Sequence, residues 1–447
     1  MTSMAALKAA ARLCGGGLVF SLSFAGAALA QSPAAAPKID PADTAWMIAA
    51  TALVLMMTIP GLALFYTGMV RKKNVLNTMA MSFACVPIVS LLWVVAGYSL
   101  AFTGEGAVLG GFDRLFLNGL GMESVHSGAK TIPESLFMLY QMTFAIITVA
   151  LVSGAIVDRV RFSAFLLFGV AWLFVVYVPV AHWVWGGGFL QTYGVIDFAG
   201  GTVVHINAGV AGLVAAYVIG ARRGYGHENL APYDLSMAVI GTGLLWVGWF
   251  GFNGGSALGA GSRAAMAIVC THLAACTGAF VWMAVEWYTR GKPSVLGMIS
   301  GAVAGLGTIT PASGYVLPWQ AVVIGAIAGL VCYFACTSLK QRLGYDDSLD
   351  VFGVHGVGGT LGTLLAGVFA VAAVSVTPEA AGTAGLLEGN ARQLLVQCVG
   401  AAVTIGWCAV ATFVLLKLVG LIVPLRASDE DERAGLDIRL HGESIHT

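Results

Sequence analysis

Gly201-Thr202-Val203-Val204-His205-Ile206-Asn207-Ala208-Gly209-Val210-Ala211-Gly212-Leu213-Val214-Ala215-Ala216-Tyr217-Val218-Ile219-Gly220 carries a single ionisable side chain that titrates near neutral pH, His205. As a helix rising 1.5 Å per residue it would be about 30 Å long, the thickness of a bilayer's hydrocarbon core. Comparable runs fall near 46–69, 75–102, 134–157, 162–183, 233–252, 263–288, 294–311, 319–339, 351–374 and 392–418. In lipid each must be helical, because only a helix satisfies its own backbone there. The chain therefore reads as an all-α integral membrane protein of eleven transmembrane helices. Composition agrees: of 447 residues 58% are hydrophobic and 10% charged, against about 25% charged in a soluble domain.

Lys and Arg set the orientation, since they are retained on the cytoplasmic side. Arg71, Lys72 and Lys73 follow the first run, Arg159 and Arg161 the third, and Arg222 and Arg223 the fifth. Arg290 and Lys292 follow the seventh, and Lys340 and Arg342 the ninth. The alternate gaps hold only scattered Arg114, Lys130, Arg263 and Arg392. The amino terminus is expected outside and the carboxyl terminus inside. If spans one to five recur as six to ten, an odd number per copy turns the second copy upside down. Three motifs recur in order: Gly61-x3-Phe65-x2-Gly68 with Gly248-x3-Phe252-x2-Gly255, Ser153-Gly154-Ala155-Ile156 with Ser300-Gly301-Ala302-Val303, and His205-x3-Gly209-x2-Gly212 with His355-x3-Gly359-x2-Gly362. The expected organisation is two inverted five-helix repeats plus one extra helix. The first half occupies 44–220, the second 221–375, helix eleven and its flanks 376–425, and a charged tail 426–447.

Lys8 and Arg12, the apolar stretch to Phe24 and Ala28-Leu29-Ala30 read as a cleaved signal peptide over 1–30, with an uncleaved anchor as the alternative. Residues 31–43 form an extracytoplasmic lead-in. Eight cysteines lie in apolar runs or the leader without metal-ligand spacing, so they read as small packing residues, and no metal or cofactor site is expected. Formal net charge is zero, without a basic block for nucleic acid. The membrane runs hold no Ser-His-Asp set or carboxylate pair, so an enzyme is not expected.

Ionisable groups within membrane helices are costly and mark pathways. His205 lies eight residues beyond Asp197, a candidate helix cap, and so about 12 Å into its span. From a start near Ser348, His355 lies about 10 Å in from the opposite face. Two such rings can meet near mid-membrane, where each would stay mostly neutral. They can line a path and relay a proton, or merely tie helices together. His272, His126, His182 and His227 read as structural, and Asn207 and Thr310 as polar groups near the path without a fixed role.

His182-Trp183-Val184-Trp185-Gly186-Gly187-Gly188, Asp197 through Asn207, Gly248-Trp249-Phe250-Gly251-Phe252-Asn253-Gly254-Gly255-Ser256 and Asp350-Val351-Phe352-Gly353-Val354-His355-Gly356 together resemble the signature of the Amt/Mep/Rh ammonium transporter family, bacterial Amt type. Similarity runs in order from about Asp43 to the tail and includes Thr58-Ile59-Pro60-Gly61-Leu62-Ala63-Leu64-Phe65-Tyr66. The resemblance implies an external vestibule that binds NH4+ through Trp185, Phe144 and Ser256, with Tyr140 at an aromatic position and Asp197 bracing it. It implies a gate of Phe144 and Phe252, and a lumen lined by His205 and His355 that conducts NH3 with a proton relay. It also implies a homotrimer in the bacterial inner membrane, closed on its cytoplasmic face by a PII-type signalling protein.

Cation–π attraction of an aromatic cage for a compact cation, roughly 0.5–2 kcal/mol, fits that vestibule independently. A greasy constriction excludes Na+ and K+, which cannot become neutral by losing a proton. One alternative is an ammonium sensor with little flux. A second is an electroneutral NH3 or CO2 channel of Rh type, against which Trp185 argues because Rh-type members generally lack it. The tail, with Asp429, Glu430, Asp431, Glu432 and Arg433, resembles the family's carboxy-terminal region that lies against a neighbouring subunit, while a solvated tail would have the same composition.

Overall fold

The structure, a computed structural model, describes residues 38–377 and 380–445. The expected signal peptide and most of the lead-in lie outside the described residues. Apolar helices follow one another along the chain: α1 (Pro41–Met69), α2 (Lys72–Phe102), α3 (Glu134–Ile156), α4 (Phe162–Tyr193), α5 (Gly201–Ile219), α6 (Leu235–Gly255), α7 (Ser262–Arg290), α8 (Val295–Ile309), α9 (Pro318–Leu343), α10 (Phe352–Phe369) and α11 (Ala391–Ile422). Among the described residues β-pairing is confined to isolated bridges. Ten of these helices are long and apolar enough to cross a membrane. The eighth expected span is shorter than its apolar run: α8 has 15 residues, about 22 Å of rise. Pro311, which has no N–H to continue the ladder, follows just beyond its end.

Local chemistry sets the helix starts. Asp40 caps α1 by accepting from the N–H groups of Ala42 and Asp43 at 2.8 and 2.9 Å, with Pro41 at the first helical position. Asp234 does the same for α6 and Ser294 for α8. α7 stops at Gly291, whose φ of 78° is the left-handed conformation that releases a helix end.

Packing follows the expected repeat. α1 lies along α6 and α5 along α10, while the α2–α3, α2–α4 and α3–α5 contacts have counterparts in α7–α8, α7–α9 and α8–α10. α5 and α10 run antiparallel. Arg222, just past the end of α5, bonds Asp346, just before α10, and Gln397 of α11 bridges the Ile196 carbonyl ahead of α5 to the Thr363 carbonyl well along α10. The motif glycines permit this crossing: a Cβ on Gly209 would collide with the backbone of Gly356, and one on Gly359 with His205. α11 packs across α4, α5 and α10.

At the end where α10 begins, charged side chains form a lattice. Arg71 and Arg222 reach Asp158 at 3.1 and 3.6 Å, and Arg222 also pairs with Asp346 at 2.7 Å. The tail docks onto this lattice within its own chain. Asp437 accepts from the N–H groups of Leu76 and Asn77 near the start of α2 at 3.0 and 2.8 Å, and Lys73 Nζ donates to the carbonyls of Glu432 and Arg433 at 2.6 and 2.7 Å. Glu432 is buried and pairs with Arg426. The tail is thus held against its own chain at Lys73 and the start of α2. The seven described cysteines are all free.

Candidate functional site

His205 and His355 occupy the repeat-related first turns of α5 and α10, and both turns are wide π-helical turns, Gly201–Ile206 and Phe352–Val357. The rings are nearly parallel, 8° between planes and 5.2 Å between centroids, and meet edge to edge with Nδ1 to Nδ1 at 3.1 Å. They are 1% and 4% exposed. In a bond between two Nδ1 atoms one ring must donate and the other accept, so the neutral rings are held in complementary tautomers. His205 Nε2 is buried with no hydrogen-bond partner among the described protein atoms, which leaves it to a molecule in the lumen.

That lumen is a cavity of about 10 Å³, near the lower limit for one water, walled by Met57, Leu62, Phe65, Leu245 and Val303 beside the histidines. Trp249 lies parallel to His205 at 5.6 Å and 13°, anchored by its Nε1–H to Thr310 Oγ1 at 2.9 Å. Trp249 falls within the Gly248–Ser256 motif, which by itself assigns it no role. Its signal was the spacing of three residues to Phe252, which places both rings on one face of α6. Thr310, left without a role, is the group that orients this indole. Asn207 instead bonds the Val203 carbonyl of its own helix.

Phe144 of α3 and Phe252 of α6 stack at 4.2 Å and 29°, and Phe252 lies 6.3 Å from His205. On the far side of this pair opens a cavity of about 410 Å³ that includes Trp185, Ser256 and Asp197 in its lining. Trp185 meets Phe144 edge-on at 5.7 Å. Tyr140 packs on Phe144 at 5.0 Å, but its hydroxyl is turned to the carbonyls of Gly251 and Phe252 at 3.0 and 2.8 Å and to Ser256 Oγ at 3.3 Å. The ring therefore backs Phe144 without joining the cavity's lining, and the hydroxyl fixes the end of α6.

Asp197 collects five donors: the N–H groups of Gly200, Gly201, Thr202 and Val203, at 2.6 to 3.3 Å, and the Thr202 hydroxyl. Its own carbonyl accepts from Trp185 Nε1 at 2.8 Å. One residue thus caps α5 and seats the indole. Trp185, Phe144, Ser256 and Asp197 share the lining of one cavity, and His205, His355 and Phe252 that of the next. His182 is buried with its two ring nitrogens against the carbonyls of Ala101 and Gly106. His126, read as structural, lines the aromatic cavity.

Beyond His355 a further cavity of about 200 Å³ opens toward Arg222, Ser348 and Asp350. Two wider cavities thus flank a narrow apolar one, separated on one side by paired phenyl rings. The aromatic side has room and ring faces for a cation, whereas desolvating an ion in the middle would cost several kcal/mol or more.

A family model described as Ammonium Transporter Family matches residues 45–445. An ammonium transporter of Bacillus subtilis is 48% identical over 404 residues, 90% of this chain and 98% of that one. One of Aquifex aeolicus is 47% identical over 409 residues, 92% and 94% of the two chains. The crystal structure of Saccharomyces cerevisiae Mep2 superposes with a TM-score of 0.81 at 35% identity, covering 88% of this chain and 89% of that one. With the match running through nearly every described helix, the chain belongs to the ammonium transporter family.

Proposed function

We propose that the protein carries ammonium nitrogen by binding NH4+ in the aromatic cavity, removing its proton there and passing NH3 along the lumen while the proton crosses by way of His205 and His355. The observation that carries this reading is the Nδ1-to-Nδ1 contact of 3.1 Å at the centre of a cavity too small and apolar for a hydrated ion. Trp185, Phe144 and Ser256 hold the cation, Tyr140 supplies the family's aromatic position behind Phe144, Asp197 braces the site, and Phe144 with Phe252 gates the way down. Na+ and K+ are refused because neither can enter as a neutral species.

The eleven-helix count belongs to the same proposal. α8 occupies the place of α3 in the second repeat and contacts α10 as α3 contacts α5. An external amino terminus, an internal tail, a homotrimer in a bacterial inner membrane and a PII-type partner on the lattice side complete it. Proteoliposomes adsorbed to a solid-supported electrode test it: ammonium should drive a current and K+ none, and a folded preparation silent to ammonium would remove the proposal.

A second reading has one observation in its favour. A solved structure titled Sensor Amt Protein superposes with a TM-score of 0.81 at 28% identity, covering 90% of this chain. Truncation at Ser428 separates the two. A conductor keeps methylammonium uptake, whereas a sensor shows negligible uptake even when intact and loses its signalling.

A further inference from the structure

The aromatic cavity does not end at Trp185. A second cavity of about 620 Å³ adjoins it, and the two share Phe102, His126, Gly128, Trp185 and Gln191 in their walls. His126 therefore stands at the passage between an outer antechamber and the candidate ammonium site. Its ring lies flat on Phe137 at 4.3 Å and 11°.

The partners of this ring fix its protonation. Nε2 lies 2.8 Å from the Phe102 carbonyl, which can only accept, so Nε2 carries a hydrogen. Nδ1 lies 3.1 Å from the Gly128 N–H, which can only donate, so Nδ1 must be bare. The loop here is held by these contacts and by the Ala129 N–H to the His126 carbonyl at 2.9 Å. An imidazolium would point a second N–H at that of Gly128, break the contact and place a positive charge at the mouth of a cation site.

We propose that His126 is a specificity-determining residue of the candidate ammonium site: neutral, it holds the antechamber open to cations, and protonated, it opposes their passage to Trp185 and Phe144. The proposal rests on the ammonium-binding reading of that cavity. The charges facing this region are Glu105, Asp113 and the Arg114–Glu134 pair around the antechamber, and Asp197 and Arg263 around the inner cavity. Glu134 does not serve as a free counter-charge for His126, because Arg114 holds both of its oxygens at 2.9 and 3.0 Å. Asp197 is likewise committed to five donors. Arg263 lies over Phe198 and Tyr315 at 4.9 and 5.0 Å and is itself cationic. Burial lowers the His126 pKa below the ordinary histidine value, with the Phe102 hydrogen bond and Glu134 pulling it up and Arg114 pulling it down. The ring thus stays neutral through neutral pH and charges only on acidification.

The test measures the half-saturating ammonium concentration of electrode-adsorbed proteoliposomes at about pH 7.5 and about pH 5, a range in which ammonium remains protonated. The wild type should lose roughly fivefold or more in apparent affinity on acidification. His126→Gln, which can donate to Phe102 and accept from Gly128 without charge, should give a flat profile, and His126→Arg should be weak at both values. The proposal is overturned if His126→Gln keeps the wild-type pH dependence or His126→Arg keeps the neutral-pH affinity. Ammonium-induced thermal stabilisation of the purified wild type, followed over the same range, gives an affinity that does not depend on either variant's folding, and a flat wild-type profile there overturns it too. Ammonium currents with an unaltered profile would defeat this proposal alone, whereas no ammonium response at any pH would defeat the ammonium-binding reading and this proposal with it.

Discussion

Asp197 and Asp347 stand eight residues ahead of His205 and His355, each shortly before a π-helical turn, and their carboxylates live in different surroundings. Asp197 has donors on both oxygens. Asp347 accepts from the Phe352 N–H at 2.7 Å through one oxygen, while Oδ1 is buried without a partner among the described protein atoms. Around Asp197 lie aromatic rings; around Asp347 lie Lys340 and Asp350, themselves paired at 2.7 Å. Burial raises the Asp347 pKa to about 6, with Lys340 lowering it and Asp350 raising it. One copy of the repeat thus uses its aspartate as a finished cap beneath an aromatic cage, and the other keeps a half-satisfied carboxylate inside a charge lattice. The scaffold is shared; the two mouths are not.

The comparison breaks most sharply at the centre, where the two copies meet. His205→Ala should lower ammonium current roughly a hundredfold or more, the scale of losing a proton-transfer group. Unchanged currents would return both rings to the role of helix ties. Next comes the finished cap. Asp197→Ala strands four backbone N–H groups and should cost about 2 kcal/mol of stability, read as a lower melting temperature in detergent. Equal losses from Asp197→Ala and Asp347→Ala would erase the distinction between the caps.

The half-satisfied partner carries a pH signature. A carboxyl whose folded pKa is raised binds its proton more tightly when folded, so its contribution is complete below about pH 4 and is lost as pH rises through about 6. Asp347→Asn, which keeps an acceptor for Phe352 and discards the charge, should remove that slope and raise stability at neutral pH by about 1 kcal/mol. An unchanged slope in melts between about pH 4 and 7 would show that Asp347 does not titrate there. The smallest effect belongs to the cage. Trp185→Leu should raise the half-saturating ammonium concentration about threefold to tenfold, and an unaltered value would leave the indole as packing.

Much of this was legible in the residues. A hydrophobic run long enough for a membrane has one permitted conformation, so the helices from Pro41–Met69 to Ala391–Ile422 follow from composition alone. The meeting of His205 and His355 follows from equal depths on opposed helices, and the phenyl pair from the family likeness. What escaped were features decided by neighbours distant in sequence. The end of α8 before Pro311 was hidden inside an apolar run. Trp249 needed the place of its ring relative to α5, and His126 needed a loop whose path no periodicity describes. The tail's docking rests on Asp437 reaching N–H groups some 360 residues earlier, which composition does not encode.

The narrow lumen between two roomier cavities has an electrical meaning as well. Cavities of about 410 and 200 Å³ have room for several waters each, whereas the apolar space between them has room for about one. In the proposed orientation, with each wider cavity meeting its own solution, an applied voltage would fall mainly across the short apolar stretch from the Phe144–Phe252 pair to His355. Under the proposed relay, a charge stepping between the two imidazoles would move only a few ångströms yet cross a large share of a field worth about 2.3 kcal/mol per 100 mV for a full traverse.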